Sequence, residues 1–187
     1  MLKDNKDLSR YFIAIVPEGK AFEEALAIKE YMANHFLSKA ALRSPPHVTL
    51  HMPFLYKEKN EDQLINKLSV LGKEKPVRSS LSGFGAFPPK VIYIRVELND
   101  DLYDLWGAVV DVARRDLGVD NATYRSMGFI PHMTVAFRDL KREIFYKAWE
   151  EFSEKPFEHP LQVDSISLLK HDGKQWNVLF RVPLEGK

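Results

Sequence analysis

Apolar residues along this chain alternate between two spacings. Residues 11–16, Tyr-Phe-Ile-Ala-Ile-Val, form one continuous apolar run closed by Pro17, the pattern of a strand buried on both faces. From Gly19 to Leu37 the interval changes, and Phe22, Ala25, Leu26, Ile28, Tyr31, Met32 and Phe36 recur at helical spacing. Ser44-Pro45-Pro46 breaks that helix, and a short strand is predicted over 47–52. A second helix is predicted over 61–71, followed by an extended, glycine-punctuated segment over 78–87.

After Pro88-Pro89 the order restarts. Residues 91–98 read as a strand. Asn99, Asp100 and Asp101 offer N-caps for a helix running through Leu102, Leu105, Trp106, Val109, Val112 and Ala113 to a stop at Gly118. A strand over 132–137 and a helix over 141–152 come next. A closing hairpin, 162–169 with 176–182, turns at Asp172-Gly173. Each pass thus reads strand–helix–strand–helix–strand, giving approximate repeats 11–87 and 91–182 related by a pseudo-two-fold axis. No Pro/Gly/Ser linker separates them, so one bilobal α+β domain over 1–187 is expected.

The repeat carries chemistry. Pro46-His47-Val48-Thr49-Leu50 and Pro131-His132-Met133-Thr134-Val135 share the pattern Pro-His-apolar-Thr-apolar. Side chains two apart in a strand point to the same face, so each segment offers an imidazole beside a hydroxyl. Facing each other, two such strands surround a small volume with two imidazoles and two hydroxyls. An imidazole titrates near neutral pH, so one of a pair can take a proton while the other gives one. That division suits cleavage of a phosphodiester such as a 2′,3′-cyclic phosphate, with the Thr hydroxyls donating to its non-bridging oxygens. Which His is base and which acid stays open on near-symmetric strands, with a lean to His132 as base and His47 as acid. This logic calls for no cofactor and no metal, and two histidines without nearby carboxylates make an incomplete metal site.

Composition narrows the partners. Lys and Arg number 27 against 26 Asp and Glu, a formal net charge of +1, which favours a small or short ligand over a length of duplex nucleic acid. There are no cysteines, which excludes disulfides, thiolate catalysis and Cys-ligated metals. The N-terminus is polar and the first apolar run is too short for a signal segment or membrane span. A soluble, cytoplasmic, monomeric protein with no membrane association is expected.

With its two His-x-Thr-x motifs, their apolar x positions and its repeated α/β halves, the chain resembles the 2H phosphoesterases. That family includes 2′-5′ RNA ligase-like proteins and cyclic nucleotide phosphodiesterases. The resemblance implies that His47 and His132 are the acid–base pair and that Thr49 and Thr134 hold the phosphate. It further implies two antiparallel sheets facing a central cleft, with helices outside. A nucleotide or RNA-end substrate with a cyclic or 2′-5′ phosphodiester follows. Many ligase-like members carry a basic residue close before the second motif; here the nearest is Arg125, while Arg43 lies four residues before His47.

Further contacts are candidates only. Alternation puts His51 on the face of His47 and Thr49, where it could line the cleft floor, with a neighbouring or structural role favoured over catalysis. Phe84, with Phe87, Tyr93 and Phe137, could stack a base or simply pack in the core. Arg43, Arg125, Arg138 and Lys90 could meet phosphate. His35, His159 and His171 have no partner pattern and read as surface or loop residues. The alternative to an enzyme is a non-catalytic nucleotide- or RNA-binding module using the same cleft.

Overall fold

The computed structural model describes residues 7–119 and 128–186. Eight strands form two four-stranded antiparallel sheets. The first has the order β2 (Val48–Lys57), β1 (Leu8–Ile15), β7 (Ser165–His171), β8 (Trp176–Pro183). The second has β5 (His132–Ala136), β4 (Val91–Val96), β3 (Val77–Phe87), β6 (Glu158–Val163). The four described α-helices are α1 (Gly19–Phe36), α2 (Glu61–Leu68), α3 (Asp100–Arg115) and α4 (Arg142–Phe152).

The apolar run in β1 explains its central place. Tyr11, Ile13 and Ile15 enter the main core, which draws on both sheets, while Phe12, Ala14 and Val16 form a second cluster with Leu169 on the opposite face. Both its faces are thus covered, and its two edges are paired as well, with β2 on one side and β7 on the other. Helix α3 starts where Asn99 Oδ1 accepts the Leu102 N–H at 2.9 Å, and buries Leu102, Leu105, Val109 and Val112. Helix α1 ends at Leu37, which takes the left-handed conformation at φ 59°.

The sheets do not divide between the two passes along the chain. Strand β3 lies in the second sheet, and the C-terminal hairpin β7–β8 lies in the first. The segment expected as a single strand over 162–169 is split at Asp164, with β6 finishing one sheet and β7 beginning a strand in the other. Strand β6 contains Pro160, which an edge strand tolerates because one side of its backbone needs no partner. The strands carrying the two motifs, β2 and β5, are each the edge of a sheet, and they run close to each other.

Candidate active site

Each motif is built the same way. His47 Nδ1 lies 2.7 Å from the Pro45 carbonyl, and His132 Nδ1 lies 2.8 Å from the Ile130 carbonyl, in both cases two residues upstream. A carbonyl only accepts, so each Nδ1 carries the hydrogen and donates it. The Nε2 atoms are left to hold or release a proton. The proline before each His rigidifies the backbone that supplies this acceptor.

Both strands bulge immediately after the motif Thr. Ala14 pairs with Thr49 and Ile13 with His51, leaving Leu50 as the extra residue. In the second sheet Tyr93 pairs with Thr134 and Ile92 with Ala136, leaving Val135 as the extra residue. A bulge resets the alternation of faces. His51, and its counterpart Ala136, therefore turn away from the motif face and are buried. His51 Nδ1 donates to the Met52 carbonyl at 2.9 Å, and its ring stands edge-on to Phe54. The expectation that His51 lines the cleft is thus corrected, and Met52 and Pro53 occupy that wall instead.

A cleft of about 570 Å³ brings His47, Thr49, His132 and Thr134 together. Arg43 and Arg138 line it, as expected, along with Phe87 and Phe137. Phe84 does not. It is 1% exposed and packs edge-on to Phe152 and Phe157, with ring centroids 5.0 and 5.9 Å away. Phe84 and Phe87 are an odd number of residues apart in one strand, so they face opposite ways. Lys90, in the turn between β3 and β4, does not line the cleft. Arg125 lies outside the described residues.

The two imidazoles rest on different walls. Phe12 packs on His47 at 4.9 Å, with Trp176 edge-on behind Phe12 at 4.7 Å. Phe87 and Tyr93 pack on His132, each at 5.2 Å. The Tyr93 ring lies directly against Gly85, where an added Cβ would sit inside it, so glycine is needed there for close approach. Burial holds the His47 imidazole down at about 4, and the positive charges of Lys29 and of a protonated His132 push the same way; the Pro45 carbonyl opposes them. Burial also lowers His132, against the hydrogen bond to Ile130.

Lys29 stands behind the first motif. It is 1% exposed, and its Nζ donates to the Ser44 carbonyl at 2.7 Å. Desolvation holds its ammonium down at about 7. Arg138, at φ 63°, has the left-handed backbone that non-glycine residues rarely adopt. The next residue secures it. Asp139 Oδ2 accepts the backbone N–H groups of Lys39 and Ala40, both at 2.9 Å, and Oδ1 accepts from the buried Ser38 hydroxyl at 3.1 Å. This carboxylate caps the 3₁₀ turn Ala40–Arg43 and so ties the Arg138 segment to the turn carrying Arg43.

Among the lining residues that sequence reasoning missed, four carry polar or aromatic groups around one corner. Arg10, at the start of β1, and His171, Lys174 and Trp176, around the β7–β8 turn, all reach the cleft. Reading His171 as an unpartnered surface residue is corrected: its ring meets Arg10 and packs edge-on to Trp176 at 4.9 Å. The β7–β8 hairpin joins His171, Lys174 and Trp176, and only the long-range pairing of β1 with β7 brings Arg10 to them.

Paired antiparallel sheets thus hold the duplicated His-x-Thr motifs in one cleft. A model of the 2′-5′ RNA ligase superfamily matches residues 17–175, and the chain belongs to that family, the 2H phosphoesterases. A Staphylococcus aureus protein named for phosphoesterase activity is 27% identical over 172 residues, covering 89% of this chain and 94% of the relative. A Bacillus licheniformis protein named likewise is 30% identical over 131 residues, covering 68% and 70%. Among solved structures, Escherichia coli LigT complexed with 3′-AMP superposes with a TM-score of 0.66 at 19% identity, covering 95% of this chain and 98% of LigT. A Thermus thermophilus protein gives 0.59 at 22% identity, covering 95% and 99%. At those identities the structural likeness concerns the fold. Among the described residues, no helix is long and apolar enough to cross a membrane.

Proposed function

We propose that this phosphoesterase cleaves a 2′,3′-cyclic phosphate, or a related 2′-5′ phosphodiester, on a nucleotide or RNA end by metal-independent acid–base catalysis between His47 and His132. The observation that carries this reading is the matched pair of imidazoles, each with Nδ1–H tied to a carbonyl two residues back and each in the same cleft. With Nδ1 committed, each Nε2 is the atom that exchanges a proton. One withdraws a proton from the attacking water and the other delivers one to the departing ribose oxygen. Thr49 and Thr134 donate to the non-bridging oxygens, and Arg43 and Arg138 offset the charge that builds there.

The environments favour His47 as base and His132 as acid, the reverse of the lean taken from sequence. Burial first, and then the charge of Lys29, disfavour protonated His47, which keeps its Nε2 free to accept a proton. His132 is lowered by burial against its hydrogen bond to Ile130, with no lysine among the causes of its shift. LigT has been crystallised with 3′-AMP and with ATP, which supports a nucleotide ligand for this fold.

The test is turnover of the four 2′,3′-cyclic nucleoside monophosphates and of an oligonucleotide with a cyclic-phosphate end, in EDTA, by the parent, His47→Ala and His132→Ala. Turnover lost in both variants supports the reading. Binding without turnover in the parent would replace it with the recognition module.

A further inference from the structure

The cleft is far more positive than the protein. Its lining includes Arg10, Arg43, Arg138 and Lys174 but no Asp or Glu, in a chain whose formal net charge is +1. Among the described residues no carboxylate comes within ion-pair distance of these four cations. A phosphodiester at the histidines brings a single negative charge. The remaining positive charge is therefore arranged for something else that is anionic.

Arg10 is the best-defined part of it. Its Nη2 lies 2.8 Å from His171 Nδ1 and 3.1 Å from Nε2, and its guanidinium sits 5.6 Å from the centre of the Trp176 ring. The Gly173 N–H also donates to His171 Nδ1, at 3.0 Å. With Nδ1 accepting, the neutral ring carries its hydrogen on Nε2. Arg10 is thus oriented by a neutral acceptor and an aromatic face, neither of which offsets its charge, and most of its five N–H donors stay available in a fixed fork. The support is in regular pairing: Arg10 pairs with Leu55 of β2, its neighbour Tyr11 with Lys170, and His171 with Trp176. Lys174 lies in the turn between them. Phe12 and Trp176 link His47 to His171, each ring packed on the next, so this cationic rim lies at the far end of that ring stack from His47 in the same cleft, with Arg43 near enough to act on His171.

We infer that Arg10 and Lys174, held by His171 and Trp176, form a second anion subsite that binds a phosphate of the substrate other than the one cleaved. The substrate class is then a nucleotide or oligonucleotide end with a cyclic or diester phosphate on one side and a phosphomonoester or diphosphate on the other. This rests on the proposed function only for the position of the reacting phosphate.

The experiment compares adenosine 2′,3′-cyclic phosphate with its 5′-phosphorylated form, in the parent, Arg10→Ala, Arg10→Lys and Lys174→Ala, with Arg114→Ala as a net-charge control. A charge-assisted, forked contact corresponds to a preference of about 10–100-fold in kcat/KM for the 5′-phosphorylated substrate. That preference falls towards unity in Arg10→Ala, falls in part in Arg10→Lys and Lys174→Ala, and persists in Arg114→Ala. Turnover of both substrates by the parent with equal kcat/KM overturns the subsite and leaves the proposed function standing. So does a preference that survives Arg10→Ala. If neither substrate turns over, titration calorimetry with adenosine 3′,5′-bisphosphate and 3′-AMP decides. Tighter binding of the bisphosphate that depends on Arg10 supports the subsite although the catalytic reading has failed; equal binding overturns it.

Discussion

The two motifs share a backbone and differ in what surrounds it. Each has a proline, a His anchored two residues back, a Thr, and a bulge directly after. Around His47 stand Phe12, the buried Lys29 and, beyond Phe12, the Trp176 and Arg10 rim. Around His132 stand Phe87 and Tyr93. Where the first motif Thr pairs with Ala14, the second pairs with Tyr93. A duplicated strand supplies two similar proton carriers; the neighbours from other strands make them unlike.

The largest expected effect breaks the pair. His47→Ala and His132→Ala each lower kcat about 10²–10⁴-fold on a cyclic nucleotide. A diester with a nitrophenolate leaving group, which departs without a proton, sharpens the comparison: it restores most of the rate to His132→Ala and little to His47→Ala. Equal rescue of both would reverse or erase the acid and base assignment.

Next in size is the pH dependence. With His47 required neutral and His132 protonated in the free enzyme, kcat/KM is bell-shaped, and both limbs lie below the ordinary imidazole value of 6.5. The acid limb falls near 4. In kcat the bell moves up, because a bound anion favours both protonated forms. A kcat/KM plateau extending to about pH 8 would be incompatible with this. Lys29→Met removes a charge that disfavours protonated His47 and so moves the acid limb upward.

The same groups set stability against pH. His47 and Lys29 both bind a proton more weakly when folded, so the unfolded chain holds more protons. Stability therefore rises with pH from about 4 to 6.5 through His47, and from about 7 to 10.5 through Lys29. Denaturant midpoints across that upper range, steep in the parent and flattened in Lys29→Met, check the sign.

Smaller effects test the supports. Asp139→Ala leaves the Ser38 hydroxyl and two backbone N–H groups without their acceptor, which costs about 1–3 kcal/mol. It also lowers kcat/KM by loosening Arg43 and Arg138. Gly85→Ala displaces the Tyr93 ring and shifts the basic limb set by His132 while the acid limb set by His47 stays in place. Urea midpoints and pH profiles on these variants separate the two. Breaking the exposed His159–Glu24 pair, 2.8 Å apart, by Glu24→Gln changes stability by about 0–1 kcal/mol.

Much of this is legible along the chain, because strand β1, helices α1 and α3 and the motif strands are local patterns of burial. His47, Thr49, His132 and Thr134 are legible because a short pattern occurs twice. Simple alternation misplaces His51, since no local signal announces the bulge at Leu50. Phe84 is a poor candidate for the cleft once Phe87 is placed there, because the two-residue period alone sets them on opposite faces. Arg10 cannot be read together with His171, Lys174 and Trp176, since only the pairing of β1 with β7, far apart in sequence, brings it to the hairpin that carries them.

The traded strands have a consequence for how the protein is made. Strands β1 and β2 are made before residues 165–171, and β1 gains its second partner only when these follow. Until then, one face of the cleft lacks Trp176 and the rim beyond it. Such non-local pairing delays folding. It also means that a nascent chain holding both histidines still lacks a finished pocket until residues 165–183 have followed.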